Sequence, residues 1–206
     1  MFITFEGSEG SGKTSHLKIL AEYLCAQGIP VLTTREPGGT VISEQIRAVI
    51  HDVHNTEMLP RTEILLFQAA RAQLVEQVIR PHLDQGGVVL SDRYADSTLA
   101  YQGYGYRTDL DKLRNIIEFA TGGLVPDLTI LLDVDVELGL RRRAQDGKLN
   151  RLDSLDVDFY HRVRAGYLEM AHEQPQRWVI VDAGRPFDQV QTAVRQIVLE
   201  RLKLGG

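Results

Sequence analysis

The sequence predicts a single α/β domain, residues 1–206, built on a five-stranded parallel sheet flanked by helices. Apolar and β-branched runs alternate with helical patterns from the first residue onward, which is typical of strand–helix–strand units with right-handed crossovers. The length of 206 residues and the hydrophobic content of 43% suit one well-buried domain and are too small for two of ordinary size. A glycine-rich turn directly after the first strand is the third observation.

The first strand, residues 2–5, leads into a pattern of the form G-x-x-x-x-G-K-[ST]. Every position of that pattern is matched by Gly7, Ser8, Glu9, Gly10, Ser11, Gly12, Lys13 and Thr14. The glycines let the backbone adopt positive φ while its N–H groups converge on an anion. Lys13 supplies a positive charge for the outer phosphates, and Thr14 opens a helix with a hydroxyl suited to Mg²⁺. The stretch therefore predicts a phosphate-binding loop.

Charge, cysteine and histidine content narrow the class of protein. The net charge of −5 gives no general attraction to nucleic acid or to anionic membranes, and no segment approaches eighteen consecutive apolar residues. Cys25, the only cysteine, lies in the pattern of the first helix and is expected to be a small core residue. His51 and His54 lack a third metal ligand and indicate a surface turn. We expect a cytoplasmic protein with a small substrate and without nucleic-acid or membrane partners.

The first helix, residues 15–27, is followed by a second predicted strand, residues 30–34. Arg35 and Pro37 come next, at the carboxyl edge where open parallel sheets bind ligands. A simple turn explains Pro37 and its glycines but not the arginine beside them. The helix that begins at residue 41 carries Arg47, which its position alone favours as a solvated side chain.

A long helical pattern, residues 60–81, places Phe67 and Arg71 four residues apart and hence on one face. An aromatic ring and a guanidinium on one face could hold a flat base. Core packing together with a surface arginine is equally compatible with this spacing, so both interpretations remain open at this point.

The third strand, residues 86–94, is an apolar run that ends in Asp92 and Arg93. An acid at a strand end beside a phosphate loop is well placed to orient the waters of a bound Mg²⁺, and Arg93 would face phosphates. The stretch at residues 96–106 is dense in hydroxyl and amide groups, which form directional hydrogen bonds. Such groups suit the recognition of a base and a sugar.

The remaining pattern predicts a helix at residues 109–120 capped by Asp109, a strand at 128–132, a helix from 137, a helix at 156–171, a strand at 178–181 and a final helix at 187–204. Three consecutive arginines in the helix from residue 137 precede a polar stretch. The segment of about 142–154 is therefore a candidate lid over nucleotide phosphates, although a solvated charge run is the default explanation.

These elements together define a P-loop nucleoside triphosphate fold. A GTP switch would carry Asn-Lys-x-Asp after a strand, and the nearest string, residues 150–153, lacks the lysine. A small kinase needs an ATP pocket, an acceptor pocket and a lid, and the sequence offers all three. A regulatory module that only binds nucleotide is the rival from another class, but it would have little use for a second anion pocket.

Five motifs, in order along nearly the whole chain, resemble those of thymidylate kinases. They are residues 5–14, 34–40, 66–73, 92–103 and 162–171. The resemblance implies a nucleoside monophosphate kinase-like fold and transfer of the γ-phosphate of ATP to dTMP, giving dTDP for dTTP synthesis, with Mg²⁺. Another nucleoside monophosphate kinase remains the alternative within the fold. Relatives typically form homodimers.

The resemblance also implies a dTMP site composed of Arg35, Pro37, Arg47, Phe67, Arg71, Arg93, Thr98, Tyr101, Gln102 and Tyr167. Phe67 would stack on thymine, and Arg71 would hydrogen-bond its carbonyl edge. Arg47 and Arg93 would hold the phosphate, in a pocket shaped by Arg35 or Pro37. Thr98 and Gln102 would help to recognise the base.

The remaining implied roles concern the sugar and the reacting phosphates. Tyr101 would crowd the 2′ position and favour deoxyribose, and Glu9 would meet the 3′-hydroxyl or the water shell of the metal. Thr14 and Asp92 would hold the metal directly or through water. The implied catalytic residues are Glu9, Lys13, Asp92, Arg93 and two lid arginines, Arg142 and Arg151.

Overall fold

The protein, a computed structural model, is described for residues 1–145 and 156–203. Within these ranges the sheet consists of β1 (Phe2–Glu6), β2 (Val31–Arg35), β3 (Val88–Asp92), β4 (Leu128–Asp133) and β5 (Trp178–Asp182). All neighbouring strands are parallel, in the order β2-β3-β1-β4-β5. The prediction of a five-stranded parallel sheet is confirmed.

Helices cover both faces of this sheet. They are α1 (Lys13–Ala26), α2 (Val41–His51), α3 (Pro60–Leu74), α4 (Arg80–Asp84), α5 (Ala95–Thr98), α6 (Leu110–Thr121), α7 (Val136–Gln145), α8 (Val157–Glu173) and α9 (Phe187–Lys203). Two π-helical turns, Val75–Ile79 and Leu99–Gly105, continue α3 and α5. Most element ends lie within two residues of the sequence predictions, and no helix of the described ranges is long and apolar enough to span a membrane.

The strand register brings the predicted functional segments together. Phe5 of β1 and Arg35 of β2 both pair with Asp92 of β3, so three strands end side by side. The phosphate loop continues from the central strand, β1, and α1 begins directly after it. Asp92 and Arg93 therefore lie between the phosphate loop and the segment that follows Arg35.

Helix ends follow local hydrogen-bond chemistry. The predicted cap is confirmed, because the Asp109 carboxylate accepts from the backbone N–H groups of Asp111 and Lys112 at 3.0 and 3.2 Å. The Thr40 hydroxyl caps α2 in the same way, accepting from the backbone N–H of Ser43 at 3.0 Å. Such caps satisfy N–H groups that the first helical turn leaves without partners.

The helix predicted to end at residue 81 instead continues to Asp84. The π-helical turn before Pro81 explains the difference. In that turn the Arg80 N–H bonds to the Val75 carbonyl, five residues back, so the backbone has left the α-helical pattern before it reaches the proline. The missing N–H of Pro81 then costs no regular α-helical hydrogen bond.

The main core lies between α1, α9 and the sheet. Its buried residues include Ile3, Phe5, Leu17, Leu20, Leu24, Ile130, Val194 and Val198. The expectation that Cys25 belongs to this core is wrong, because its side chain is exposed. The buried stripe of α1 runs through Leu17, Leu20 and Leu24, and the next residue is rotated by about 100° away from it.

Candidate active site

A cavity of about 350 Å³ opens at the carboxyl ends of β1, β2 and β3. It brings together most of the residues that the sequence singles out. The predicted site residues on its wall are Glu9, Gly10, Gly12, Lys13, Thr14, Arg35, Pro37, Arg47, Phe67, Arg71, Asp92, Arg93, Thr98, Tyr101 and Gln102. Segments up to about 90 residues apart thus share one site.

Other predicted site residues lie elsewhere. Arg142 is directed to the loop after β5, where it donates to the Ala183 carbonyl at 2.9 Å, and its neighbour Arg143 lines the cavity instead. Tyr167 is only 1% exposed and lies behind the cavity wall. Arg151 and most of the predicted lid segment lie outside the described residues.

The phosphate loop is held by its own lysine. Gly7, Gly10 and Gly12 all have positive φ, as predicted from the motif. The Lys13 ammonium donates to the carbonyls of Gly7 and Ser8 at 3.0 and 2.8 Å and to the Ser11 hydroxyl at 3.2 Å, which uses its three N–H groups. Burial, with the positive charge of Arg93 adding to it, lowers the pKa of Lys13 to about 8.

Two glycines let α7 pack directly on this loop. A Cβ atom on Gly10 would lie 2.1 Å from the Gly139 carbonyl oxygen, and one on Gly139 would lie 2.5 Å from the Glu9 carbonyl oxygen. Both distances are shorter than any real contact. The phosphate loop and the helix that carries the arginine triplet therefore meet backbone to backbone.

Thr14 and Asp92 form a candidate metal site beside the loop. The Thr14 hydroxyl donates to the Asp92 carboxylate at 2.5 Å, so the two oxygen groups already lie together. Mg²⁺ is usually held by one or two such ligands together with water and nucleotide phosphates. In the described ranges no three histidine, cysteine or acidic side chains cluster to hold a metal by themselves. The oxygen pair thus fits a magnesium ion that arrives with a nucleotide.

Arg93 lies at the centre of the cavity wall, with a φ of 70°. One terminal nitrogen donates to the Gly7 carbonyl at 3.2 Å and to the Tyr167 hydroxyl at 3.3 Å. The other donates to the Glu9 carboxylate and to the Tyr101 hydroxyl, both at 3.0 Å. These contacts fix the guanidinium between the phosphate loop and the π-helical turn that carries Tyr101.

Glu6, the last residue of β1, is a site residue that sequence reasoning missed. Its fully buried carboxylate accepts from the Tyr94 N–H at 2.8 Å, the Ser97 hydroxyl at 2.6 Å and the Tyr167 hydroxyl at 2.8 Å. Burial, with the negative charge of Asp96 adding to it, raises the pKa of Glu6 to about 7. The sequence shows only an acid at the end of an apolar and β-branched run, which does not reveal partners 88 to 161 residues away.

Arg71 forms the opposite wall, and it is not the surface arginine that its spacing left open. Its side chain is 1% exposed, and it lines the cavity. Its Nε–H donates to a Glu36 oxygen at 2.7 Å, and Nη2 lies 2.7 Å from the same oxygen in an ion pair. Nη1 donates to Gln68 at 2.6 Å and to Thr98 at 3.1 Å, and Nη2 donates to the Tyr94 carbonyl at 3.1 Å. All five N–H groups therefore have protein partners.

Helix α2 closes the cavity on the side of β2. Arg47 is not the solvated side chain that its position alone favours, because it is half-buried on the wall and donates to the Pro37 carbonyl at 2.7 Å. Burial, with nearby Arg35 adding to it, lowers the pKa of Arg47. His51 is the last residue of α2 and also lines the cavity, so the expected surface turn begins only after it.

Comparisons with known proteins show the family of this chain. A family model described as thymidylate kinase matches residues 5–194. A thymidylate kinase of Roseiflexus castenholzii is 49% identical, covering 96% of this chain and 92% of that relative. One from Deinococcus radiodurans is also 49% identical, with coverages of 98% and 97%. The crystal structure of thymidylate kinase from Ehrlichia chaffeensis superposes with a TM-score of 0.79 at 34% identity, covering 96% of this chain and 98% of that one.

The buried acid predicts a pH dependence of stability. The folded protein keeps a proton on Glu6 up to about pH 7, whereas the unfolded chain releases it near 4.5. The folded state thus binds more protons in this window, and the free energy of unfolding falls as the pH rises through it. Glu6→Gln removes this contribution, which amounts to about 3 kcal/mol.

Urea unfolding of both proteins at pH 5 to 8 measures the effect. The unfolding free energy of Glu6→Gln minus that of the unchanged protein should rise with pH, and this subtraction removes the contribution of all other groups. A difference that stays constant across the series would contradict the raised pKa.

Proposed function

The chain belongs to the thymidylate kinase family and is an ATP-dependent nucleoside monophosphate kinase, and from this premise we propose how its residues carry out the reaction. The γ-phosphate of ATP is transferred to dTMP, giving dTDP and ADP. The observation that carries the assignment of roles is the shared cavity. The cavity extends from the phosphate loop to the wall that carries Phe67 and Arg71, and Arg93 lies between these two parts.

The dTMP phosphate would lie against Arg47 and Arg93, with Arg35 and Pro37 at the rim. Arg47 suits this role because its bond to the Pro37 carbonyl uses one of five N–H groups, so other N–H groups of the guanidinium could donate to a phosphate. Burying the Arg47 guanidinium near Arg35 and Arg93 is energetically unfavourable unless an anion lies beside it. The dTMP phosphate would be that anion. The same anion would neutralise the positive charge that gathers at this end of the cavity.

The thymine base would lie between Phe67 and the Arg71 wall. The half-buried Phe67 ring faces the cavity, where stacking on a base is favourable. Because the N–H groups of Arg71 all have partners, its bond to a thymine carbonyl requires an exchange, for which Thr98 is the most loosely held side-chain partner. Gln102 would complete base recognition.

The sugar would lie beside Tyr101 and Glu9. The Tyr101 hydroxyl donates to the Glu9 carboxylate at 2.6 Å, so the ring is fixed in the cavity where a 2′-hydroxyl would otherwise fit. Tyr167 would act through Arg93 and Ser97, because its hydroxyl contacts both of them. We therefore propose Tyr167 as a positioning residue.

The ATP phosphates would occupy the loop from Gly7 to Thr14. Lys13 would exchange the carbonyls that it now contacts for phosphate oxygens. A magnesium ion held by Thr14 and Asp92 would neutralise negative charge on those phosphates. Arg143 would approach the same phosphates from α7, with Arg142 placed by the loop after β5. A contact from Arg151 also remains a proposal.

The reaction itself needs no general base. A phosphate monoester has a second pKa of about 6, so its oxygens are already ionised near neutral pH. What the protein must supply is alignment of two highly charged groups and neutralisation of their repulsion. Lys13 and Arg93 both donate to the Gly7 carbonyl, at 3.0 and 3.2 Å, so two positive charges converge where the two phosphates would meet.

We also propose that the protein forms a homodimer in the cytoplasm. Helix α3 contacts both α2 and α6, and these three helices expose Val41, Ile42, Val49, Leu65 and Phe119. Phe119 is 90% exposed and adds the most exposed side chain to this set, and contiguous apolar patches mark protein–protein interfaces. Analytical ultracentrifugation should show a species of twice the chain mass, and Phe119→Asp should shift it toward the monomer. A monomer at all concentrations would contradict this proposal.

The acceptor specificity is tested by ADP release with MgATP and each nucleoside monophosphate in turn. We expect the highest kcat/KM with dTMP, a lower value with dUMP, and little activity with dCMP, dGMP, AMP or UMP. Another preferred acceptor would leave the kinase activity intact but overturn the roles of Phe67, Arg71 and Tyr101. ADP release without any acceptor would indicate an ATPase.

Lys13→Ala should lower kcat by about 100-fold or more, because it removes a charge that stabilises the transferred phosphoryl group. The dTMP dissociation constant should change far less, since the proposed dTMP contacts are made by Arg47, Arg93, Phe67 and Arg71 and not by Lys13. Lys18→Ala, an exposed position of the same helix, is the matched control and should retain full activity. Equal losses in turnover and dTMP affinity would refute the assigned role.

A further inference from the structure

Gln102 has a buried partner that the proposed reaction does not use. Its amide nitrogen donates to a Glu63 carboxylate oxygen at 2.8 Å. Glu63 is 1% exposed and lies on α3, four residues before Phe67 and eight before Arg71, so the three share one face of the helix. Glu63 itself does not line the cavity, whereas Gln102 does.

This contact determines which end of the Gln102 amide faces a ligand. The oxygen and nitrogen ends of an amide have the same shape and opposite hydrogen-bonding roles. A carboxylate only accepts hydrogen bonds, so the nitrogen end of Gln102 must face Glu63. The oxygen end is then left for the cavity as an acceptor.

The neighbouring Thr98 has the opposite polarity. Its hydroxyl oxygen accepts from the Gln68 amide at 3.2 Å and from Arg71 at 3.1 Å. A hydroxyl has two acceptor positions and one hydrogen, so only the hydrogen of Thr98 remains to be donated. The wall therefore presents a donor at Thr98 and an acceptor at Gln102, and Arg71 becomes a second donor when it exchanges a protein partner for the ligand.

This pattern of donors and acceptor matches one class of pyrimidine. A 4-oxo pyrimidine such as thymine or uracil presents a carbonyl acceptor next to an N3–H donor. A 4-amino pyrimidine such as cytosine presents the reverse, an amino donor next to an N3 acceptor. A site whose buried polar groups are mismatched to a ligand discriminates strongly against it.

We propose that Glu63 is a positioning residue that sets base selectivity, by holding the Gln102 amide oxygen toward N3–H of the acceptor base. This inference rests on the proposed function, because it assumes that the base lies against this wall. Glu63 touches no substrate. Its effect is to exclude 4-amino pyrimidines by fixing the orientation of one amide.

The experiment compares Glu63→Gln with the unchanged protein, using dTMP, dUMP and dCMP at saturating MgATP. A glutamine at position 63 can either accept from or donate to Gln102, so both amide orientations become available. The ratio of kcat/KM for dTMP over dCMP should fall by about tenfold or more. The ratio for dTMP over dUMP should not change, because both bases present the same edge.

Two further variants serve as controls. Glu76→Gln removes an exposed carboxylate of the same continuous helix and should leave every ratio unchanged. Glu63→Asp keeps an acceptor-only group at the buried position and should retain most of the discrimination, which also tests the proposal if Glu63→Gln is unstable. A loss of selectivity in Glu63→Asp equal to that in Glu63→Gln would overturn it.

A purely structural role gives a different result. If Glu63→Gln lowers kcat/KM for dTMP, dUMP and dCMP by the same factor, the carboxylate only supports the fold and the proposal fails. The KM for ATP should stay within about twofold, because the substitution removes no group assigned to ATP binding. If the unchanged protein shows no preference for dTMP, the proposed function itself is wrong and this inference falls with it.

Discussion

The guanidinium of Arg93 connects the phosphate loop to the helical wall of the acceptor site. It donates to Gly7 and Glu9 on one side and to Tyr101 and Tyr167 on the other. Its backbone lies in the left-handed region, which is unfavourable for a residue with a side chain and is sustained only by surrounding contacts. A positive charge held in this way needs little rearrangement when charge develops beside it.

The acceptor side and the nucleotide side of the cavity differ in the hydrogen bonds that their side chains already make. On the acceptor side the buried Arg71 already donates to Glu36, Gln68 and Thr98, so a base meets polar groups that the protein has oriented beforehand. On the nucleotide side Lys13 contacts loop carbonyls that phosphate oxygens can replace. The first half suits discrimination between similar bases, and the second suits the binding of any triphosphate.

The parts of this site that depend on local spacing could be predicted from the sequence. The phosphate loop, the acid and arginine after the third strand, and the shared face of Phe67 and Arg71 each lie within a few residues. Glu6 and Glu63 could not be predicted, because their partners lie 39 to 161 residues away in the chain. The prediction that Cys25 is a core residue is wrong because helical periodicity shows that a buried stripe exists but not how wide it is.

That misplaced cysteine has a practical consequence. The chain has one thiol, and it is exposed near the end of α1, twelve residues after the lysine that opens this helix. At a rise of 1.5 Å per residue, the backbone of Cys25 lies about 18 Å along the helix axis from that lysine of the phosphate loop. A single dye could therefore be attached at Cys25 without changing the sequence. It would be close enough to the phosphate loop for energy transfer to a bound fluorescent nucleotide and too far away to obstruct the binding of that nucleotide.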